Sequence, residues 1–189
     1  MKSAMTRTLC AALLPLGLVV SACSSEPETP MAAASTENGT LAEAIAGSEE
    51  LSTLSTALGD AQLSDVFDGT GAYTVLAPTN AAFEALGAGG QSLMTEEQRP
   101  VLVGVLREHV LPGHLTAEAI GTAIENGGGS ATMTTLGGGT VTFTGKAGRM
   151  TVSHSSGASA ELLDGGLNAG NGSALPINAV LAGASPDGQ

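Results

Sequence analysis

Imidazole is the side chain best suited to proton transfer near neutral pH and to holding a transition metal. This chain of 189 residues carries three, His109, His114 and His154. Their placement favours neither use. His109 and His114 stand on either side of Pro112-Gly113 and His154 lies on a separate apolar-alternating segment, whereas zinc needs three or four convergent ligands. There is no His-Glu-x-x-His pair, and the carboxylates fall singly rather than in the Asp-x-Asp-x-Asp pattern of a calcium loop. Gly145-Lys146 has Thr140 where a phosphate-binding loop needs its first glycine, and neither Gly-x-Ser-x-Gly nor Gly-x-Gly-x-x-Gly occurs. The residues therefore point away from an enzyme, a metal site or a cofactor. His109 ends an apolar helical pattern, where a ring nitrogen can bond the last free carbonyls, so its expected role is structural.

The remaining reactive groups are two cysteines. Lys2 and Arg7 precede an apolar run from Leu9 to Val20, and Val20-Ser21-Ala22 set small residues before Cys23, the pattern of a cleavable export signal. The run is interrupted by Pro15 and is too short to span a bilayer. The arrangement resembles a bacterial lipoprotein signal, which implies a leader over residues 1–22, lipidation of Cys23 and a membrane anchor. An ordinary secretory signal with an incidental cysteine is the alternative. Cys10 would leave with the leader, so no thiol pair would remain for a disulfide. The location implied is outside the cytoplasm, on the cell membrane or outer membrane, with the domain in the periplasm or at the surface.

Removing the leader leaves four cations, Arg99, Arg107, Lys146 and Arg149, against eighteen carboxylates, a formal charge of −14. Such a surface repels phosphate backbones and anionic headgroups, which excludes nucleic acid as a partner. One Tyr, three Phe and no Trp leave few aromatic anchors for a tight interface or for stacking on sugars.

The elements that would position these groups follow from periodicity. Residues 23–39, Ser-, Glu-, Pro- and Ala-rich after the cysteine, read as a disordered tether, and the folded domain spans 40–184 with a short polar tail over 185–189. Leu41 with Ile45, Leu51 with Leu54 and Leu58, and Val66 with Phe67 fall at helical spacing, with Gly59 placed to stop the second helix. Gly87 to Gly90 reads as a flexible break and Thr95-Glu96-Glu97-Gln98 as a capping box. Pro100 then opens a helix that carries Val101, Leu102, Val105 and Leu106 inward. A helix with Ile120 and Ile124 follows. Beyond it the period changes to alternation, with strands expected near residues 132–136, 141–144, 150–153, 162–163 and 173–181. Helices first and a meander last describe an α+β domain.

One segment is more informative than the rest. Residues 74–77 form a β-prone run, Pro78 stops it, Thr79 or Asn80 can cap the helix beyond, and Phe83 with Leu86 face one side of that helix. These residues resemble the first signature of the fasciclin-like domain family, with Leu76 where that family usually has Phe. Glu108-His109-Val110-Leu111-Pro112-Gly113 is similar to a second signature in which Tyr usually stands at the position of Glu108. Residues 171–181 are similar to a third, with Asn171-Gly172 at its start, Pro176 inside the strand and Asn178 in place of the usual Asp. The resemblance implies a single α+β domain, a β-wedge or sandwich of short strands with several surrounding helices. It further implies adhesion to envelope or matrix proteins or surfaces, with mostly structural roles for Pro78, Thr79, Asn80, Phe83, His109, Pro112, Gly113, Asn171, Gly172 and Asn178. Because some members hold carotenoids, an apolar pigment or lipid in a cleft between helices and sheet is the alternative ligand class.

Overall fold

The computed structural model describes residues 35–36, 39–146 and 148–181. The leader, Cys23, most of the tether and the polar tail lie outside them. In chain order the elements are β1 (Ser35–Thr36), α1 (Leu41–Ala46), α2 (Ser52–Asp60), α3 (Ser64–Phe67), β2 (Tyr73–Pro78), α4 (Asn80–Ala85), α5 (Ala88–Leu93), α6 (Arg99–Glu108), β3 (Val110–Pro112) and α7 (Ala117–Asn126). Then come β4 (Ser130–Thr134), β5 (Thr140–Lys146), β6 (Arg149–His154), β7 (Ser159–Glu161), β8 (Leu167–Ala169) and β9 (Gly172–Ile177). This is an α+β domain with two small sheets.

The first sheet has the order β1-β8-β9-β2-β3 and is mixed, because β2 and β9 run parallel from Tyr73 opposite Gly172 to Pro78 opposite Ile177. The second is a four-stranded antiparallel meander, β4-β5-β6-β7. Two cores result. Helices α1, α2, α4 and α6 bring Leu41, Leu54, Phe83, Leu102 and Leu106 against one face of the first sheet, where Val75, Ala77 and Val110 point. Leu76, Leu111, Leu175 and Ile177 point to its other face and meet Val141, Phe143 and Val152 of the second sheet with Ile120 and Ile124 of α7. The first sheet is thus covered on both faces. That is why β2 and β9 read as near-continuous runs of buried residues rather than as alternation.

Several local expectations are corrected. Gly59 does not end α2, which runs to Asp60 and closes at Gln62, whose φ of 56° lets Leu63 N–H reach the Leu58 carbonyl at 2.9 Å. The expected break at Gly87 to Gly90 is the helix α5, and Gly90 is needed there because a Cβ would come within 2.7 Å of the Phe83 carbonyl oxygen. Thr95 does not box a helix; its hydroxyl donates to the Ser92 carbonyl at 2.9 Å. The turn Glu96–Gln98 and α6 follow as expected, with Pro100 in the first turn, but Val101 is 41% exposed and only Leu102 and Leu106 are fully buried. The strand expected at residues 162–163 is a single bridge between Leu162 and Ile177, while β7 and β8 lie on either side of it. Ser35–Thr36, within the segment read as tether, pairs in parallel with Asn168 and Ala169.

Pro176 sits in an interior strand. It falls beyond the last rung between β8 and β9, where its carbonyl accepts from Leu163 N–H at 2.8 Å, so its missing N–H removes no bond of the sheet. None of the described helices is long and apolar enough to cross a membrane.

Candidate functional site

The three motifs meet around β2, β3 and β9, and their polar residues fasten elements that are distant in sequence. Thr79 caps its own helix, accepting from Ala82 N–H at 3.3 Å. Asn80 acts on a different one. Its Oδ1 accepts from Thr53 N–H at 2.9 Å and its Nδ2 donates to the Glu49 carbonyl at 2.8 Å, closing the N-terminus of α2, which has no side-chain cap from its own flank. Pro78 ends β2 opposite Ile177, and Phe83, on α4, is buried in the first core.

Asn171 joins three segments. Its Oδ1 accepts from Leu41 N–H at 2.7 Å, and its Nδ2 donates to the carbonyls of Phe67 at 2.6 Å and Gly69 at 2.8 Å. Gly172 beside it lies so close to β2 that a Cβ would overlap the Tyr73 carbonyl oxygen.

Asn178 binds the end of β9 to β7. Glu161 N–H donates to its Oδ1 at 2.8 Å, its own N–H donates to the Glu161 carbonyl at 3.1 Å, and its Nδ2 donates to Glu161 Oε2 at 3.3 Å. The amide suits this place because it offers a donor to a carboxylate. Asn178→Asp would set two carboxylates against each other, and we expect a loss of about 1 kcal/mol at pH 7 that shrinks once the pair is protonated. Urea unfolding at pH 7 and pH 4 measures it.

His109 is fully buried. Its Nδ1–H donates to the Val105 carbonyl at 2.8 Å and its Nε2 accepts from Leu181 N–H at 2.8 Å, which fixes the neutral Nδ1–H tautomer and ties α6 to the segment after β9. Burial lowers its pKa from 6.5 to about 4, despite the opposing hydrogen bond to Val105. Pro112 closes β3, and Gly113 turns the chain at a φ of 98° so that its carbonyl accepts from the Thr74 hydroxyl at 2.7 Å. His114 is exposed and takes no part.

The residue that sequence reasoning missed is Glu108, with His154 as its partner. Glu108 Oε2 accepts from His154 Nε2–H at 3.1 Å, from Gly139 N–H at 3.2 Å and from the Thr135 hydroxyl. Desolvation would raise the carboxyl's pKa, but the bonds from Thr135 and His154 outweigh it and hold the group below its usual range. The departure from Tyr at this position was the available signal. A second was the glycine run 137–139, since a Cβ on Gly137 or Gly139 would overlap the Glu108 carboxyl. Among the described residues no group of three or more His, Cys, Asp or Glu stands ready to hold a metal ion.

Two surfaces complete the geometry. A cleft of about 250 Å³ lies among α2, α4 and α5, walled by Thr53, Asn80, Phe83, Gly90 and Met94. It is bounded by helices rather than lying between helices and sheet. The outward face of the second sheet is a field of hydroxyls: Thr132 stands opposite Thr142, Thr134 opposite Thr140, Thr142 opposite Ser153 and Thr144 opposite Thr151. Charge enters that face only at one end, through Lys146, Arg149 and Glu161.

Residues 49–183 match the Fasciclin domain. This chain belongs to the fasciclin domain family. The chain is 36% identical over 143 residues to "Protein sll1483" of Synechocystis sp. (strain ATCC 27184 / PCC 6803 / Kazusa), covering 75% of this chain and 72% of that protein. In fold it is similar to the FAS1 domain pair of the insect cell adhesion molecule Fasciclin I, with a TM-score of 0.56 and 20% identity, over 70% of this chain and 44% of that one. The chain thus spans less than half of that domain pair, the extent of one fasciclin domain. Membership gives this chain the general character of an adhesion or protein-interaction module.

Proposed function

We propose that this fasciclin domain is exported, lipid-anchored through Cys23, and adheres to other macromolecules at a bacterial cell envelope. The leader pattern ending at Cys23 and the tether after it support the anchor. The observation that carries adhesion is the outward face of the meander. On a chain with eighteen carboxylates, this face offers hydroxyl donors and acceptors and repels neither a neutral nor an acidic partner. Exchanging water for a partner's polar groups gains only about 1 kcal/mol per hydrogen bond. Single-domain affinity is therefore low, and many copies on one membrane supply avidity.

The test displays residues 24–189 on beads exposed to envelope and matrix material. Retention is expected to exceed that of an unrelated acidic domain and to fall severalfold when Thr132→Glu and Thr144→Glu add charge to the face. Equal retention by the control domain would remove the adhesion reading.

A second reading, carriage of an apolar pigment or lipid, rests on the cleft among α2, α4 and α5. Its volume of about 250 Å³ is below the ~300–1,000 Å³ of ordinary ligand pockets. Mass spectrometry of an organic extract of the full-length protein, corrected for its own acyl chains, decides it: a stoichiometric apolar compound would establish the carrier.

A further inference from the structure

The contact between Glu108 and His154 extends to a serine. His154 Nδ1 accepts from Ser156 N–H at 3.1 Å, and Ser156 Oγ lies 2.7 Å from the same nitrogen. A backbone N–H can only donate, so Nδ1 carries a lone pair and the ring proton sits on Nε2, where Glu108 Oε2 receives it. Ser156 Oγ–H therefore donates to an imidazole whose opposite nitrogen is bonded to a carboxylate. A hydroxyl, a base and a group that orients the base stand in line. His154 is 9% exposed and Ser156 lies at the surface, so the base is held rigid while the hydroxyl is reachable.

We propose that Ser156 is an activated nucleophile, the site at which this protein accepts an acyl group from an activated ester or thioester. In the step, Ser156 Oγ attacks the carbonyl carbon and its proton passes to His154 Nδ1. The imidazolium so formed is stabilised by the Glu108 carboxylate across Nε2–H. The leaving alkoxide or thiolate takes that proton as the carbon–leaving-group bond breaks, and Oγ keeps the acyl group as an ester. Nearby backbone donors are already engaged: Gly137 N–H with the Arg107 carbonyl, Gly138 N–H with that of Thr135, and Gly157 N–H with that of His154. They form no preorganised cradle for the oxyanion, so the product is a stably acylated protein rather than rapid turnover.

The experiment treats the full chain with p-nitrophenyl acetate and follows both nitrophenolate release and the acetylated peptide by mass spectrometry. One equivalent of label on Ser156 is expected, with Ser153 and Ser155 of the same peptide unlabelled. Ser156→Ala removes the label, and His154→Gln slows it by about 100-fold. The unaltered protein provides a reading independent of any variant's folding. Glu108 and the buried His109 are the ionisable groups that act on this cluster. Label spread evenly over the three serines, or no label on Ser156, would overturn the proposal.

Discussion

Gly172→Ala is expected to lower the unfolding free energy by about 3 kcal/mol, read as a shift of the urea midpoint with an unchanged slope. The added methyl would overlap the Tyr73 carbonyl oxygen and reach within 3.0 Å of Leu41 Cδ2, a fully buried side chain under α1. Neither neighbour can retreat. Tyr73 is held in register opposite Gly172 as the first rung of the β2–β9 pair, and its N–H donates to the Asn171 carbonyl at 3.2 Å. Asn171 in turn grips Leu41, Phe67 and Gly69, so a shift at Gly172 strains the bonds that hold α1 and the chain after α3. Gly59→Ala is the matching control. Position 59 lies inside α2 with nothing within 4 Å of the added carbon, so the change should stabilise by about 0.5 kcal/mol through helix propensity.

The second large effect is a loss of stability on acidification that traces to His109. At pH 7 its imidazole is neutral in the folded chain and mostly neutral in the unfolded one. Below pH 6.5 the unfolded chain binds a proton that the folded chain refuses until about pH 4. The unfolded state therefore binds more protons across this window, and stability falls with pH, by about 3 kcal/mol on reaching pH 4. The loss has a structural cause: a proton on Nε2 would displace the Leu181 N–H that donates there, and a charge would sit in a fully buried place. Urea titrations between pH 7.5 and pH 4 should show this slope, and His109→Gln should flatten it while costing stability at pH 7. Glu108 adds a separate loss that begins lower. Its folded pKa is depressed, so its contribution is present above the usual value of 4.5 and disappears as pH falls through the folded value.

Residues close in sequence explain what could be foreseen. Thr79, named from the sequence as a cap, closes α4 through a bond spanning three residues, and the structure adds Thr40 on α1 and Thr116 on α7 in the same way. The buried run of β2 and the alternation in β5 and β6 are likewise visible from neighbouring side chains, because backbone geometry repeats every two residues in a strand and every 3.6 in a helix. Motif resemblance added the order of the elements and the family. The misreadings at Gly59 and at Gly87 to Gly90 share one cause: glycine's local preference was outweighed by packing of the helices that contain it.

By itself, then, the sequence determined the α+β class, the acidic character and the family of this domain. Tertiary structure alone decided what the polar residues do. Asn80 caps a helix 27 residues earlier, Asn171 reaches Leu41 across 130 residues, and Glu108 finds His154 across 46. A hydrogen bond depends on distance in space and on two glycines leaving room for a carboxylate, and no period along the chain encodes either.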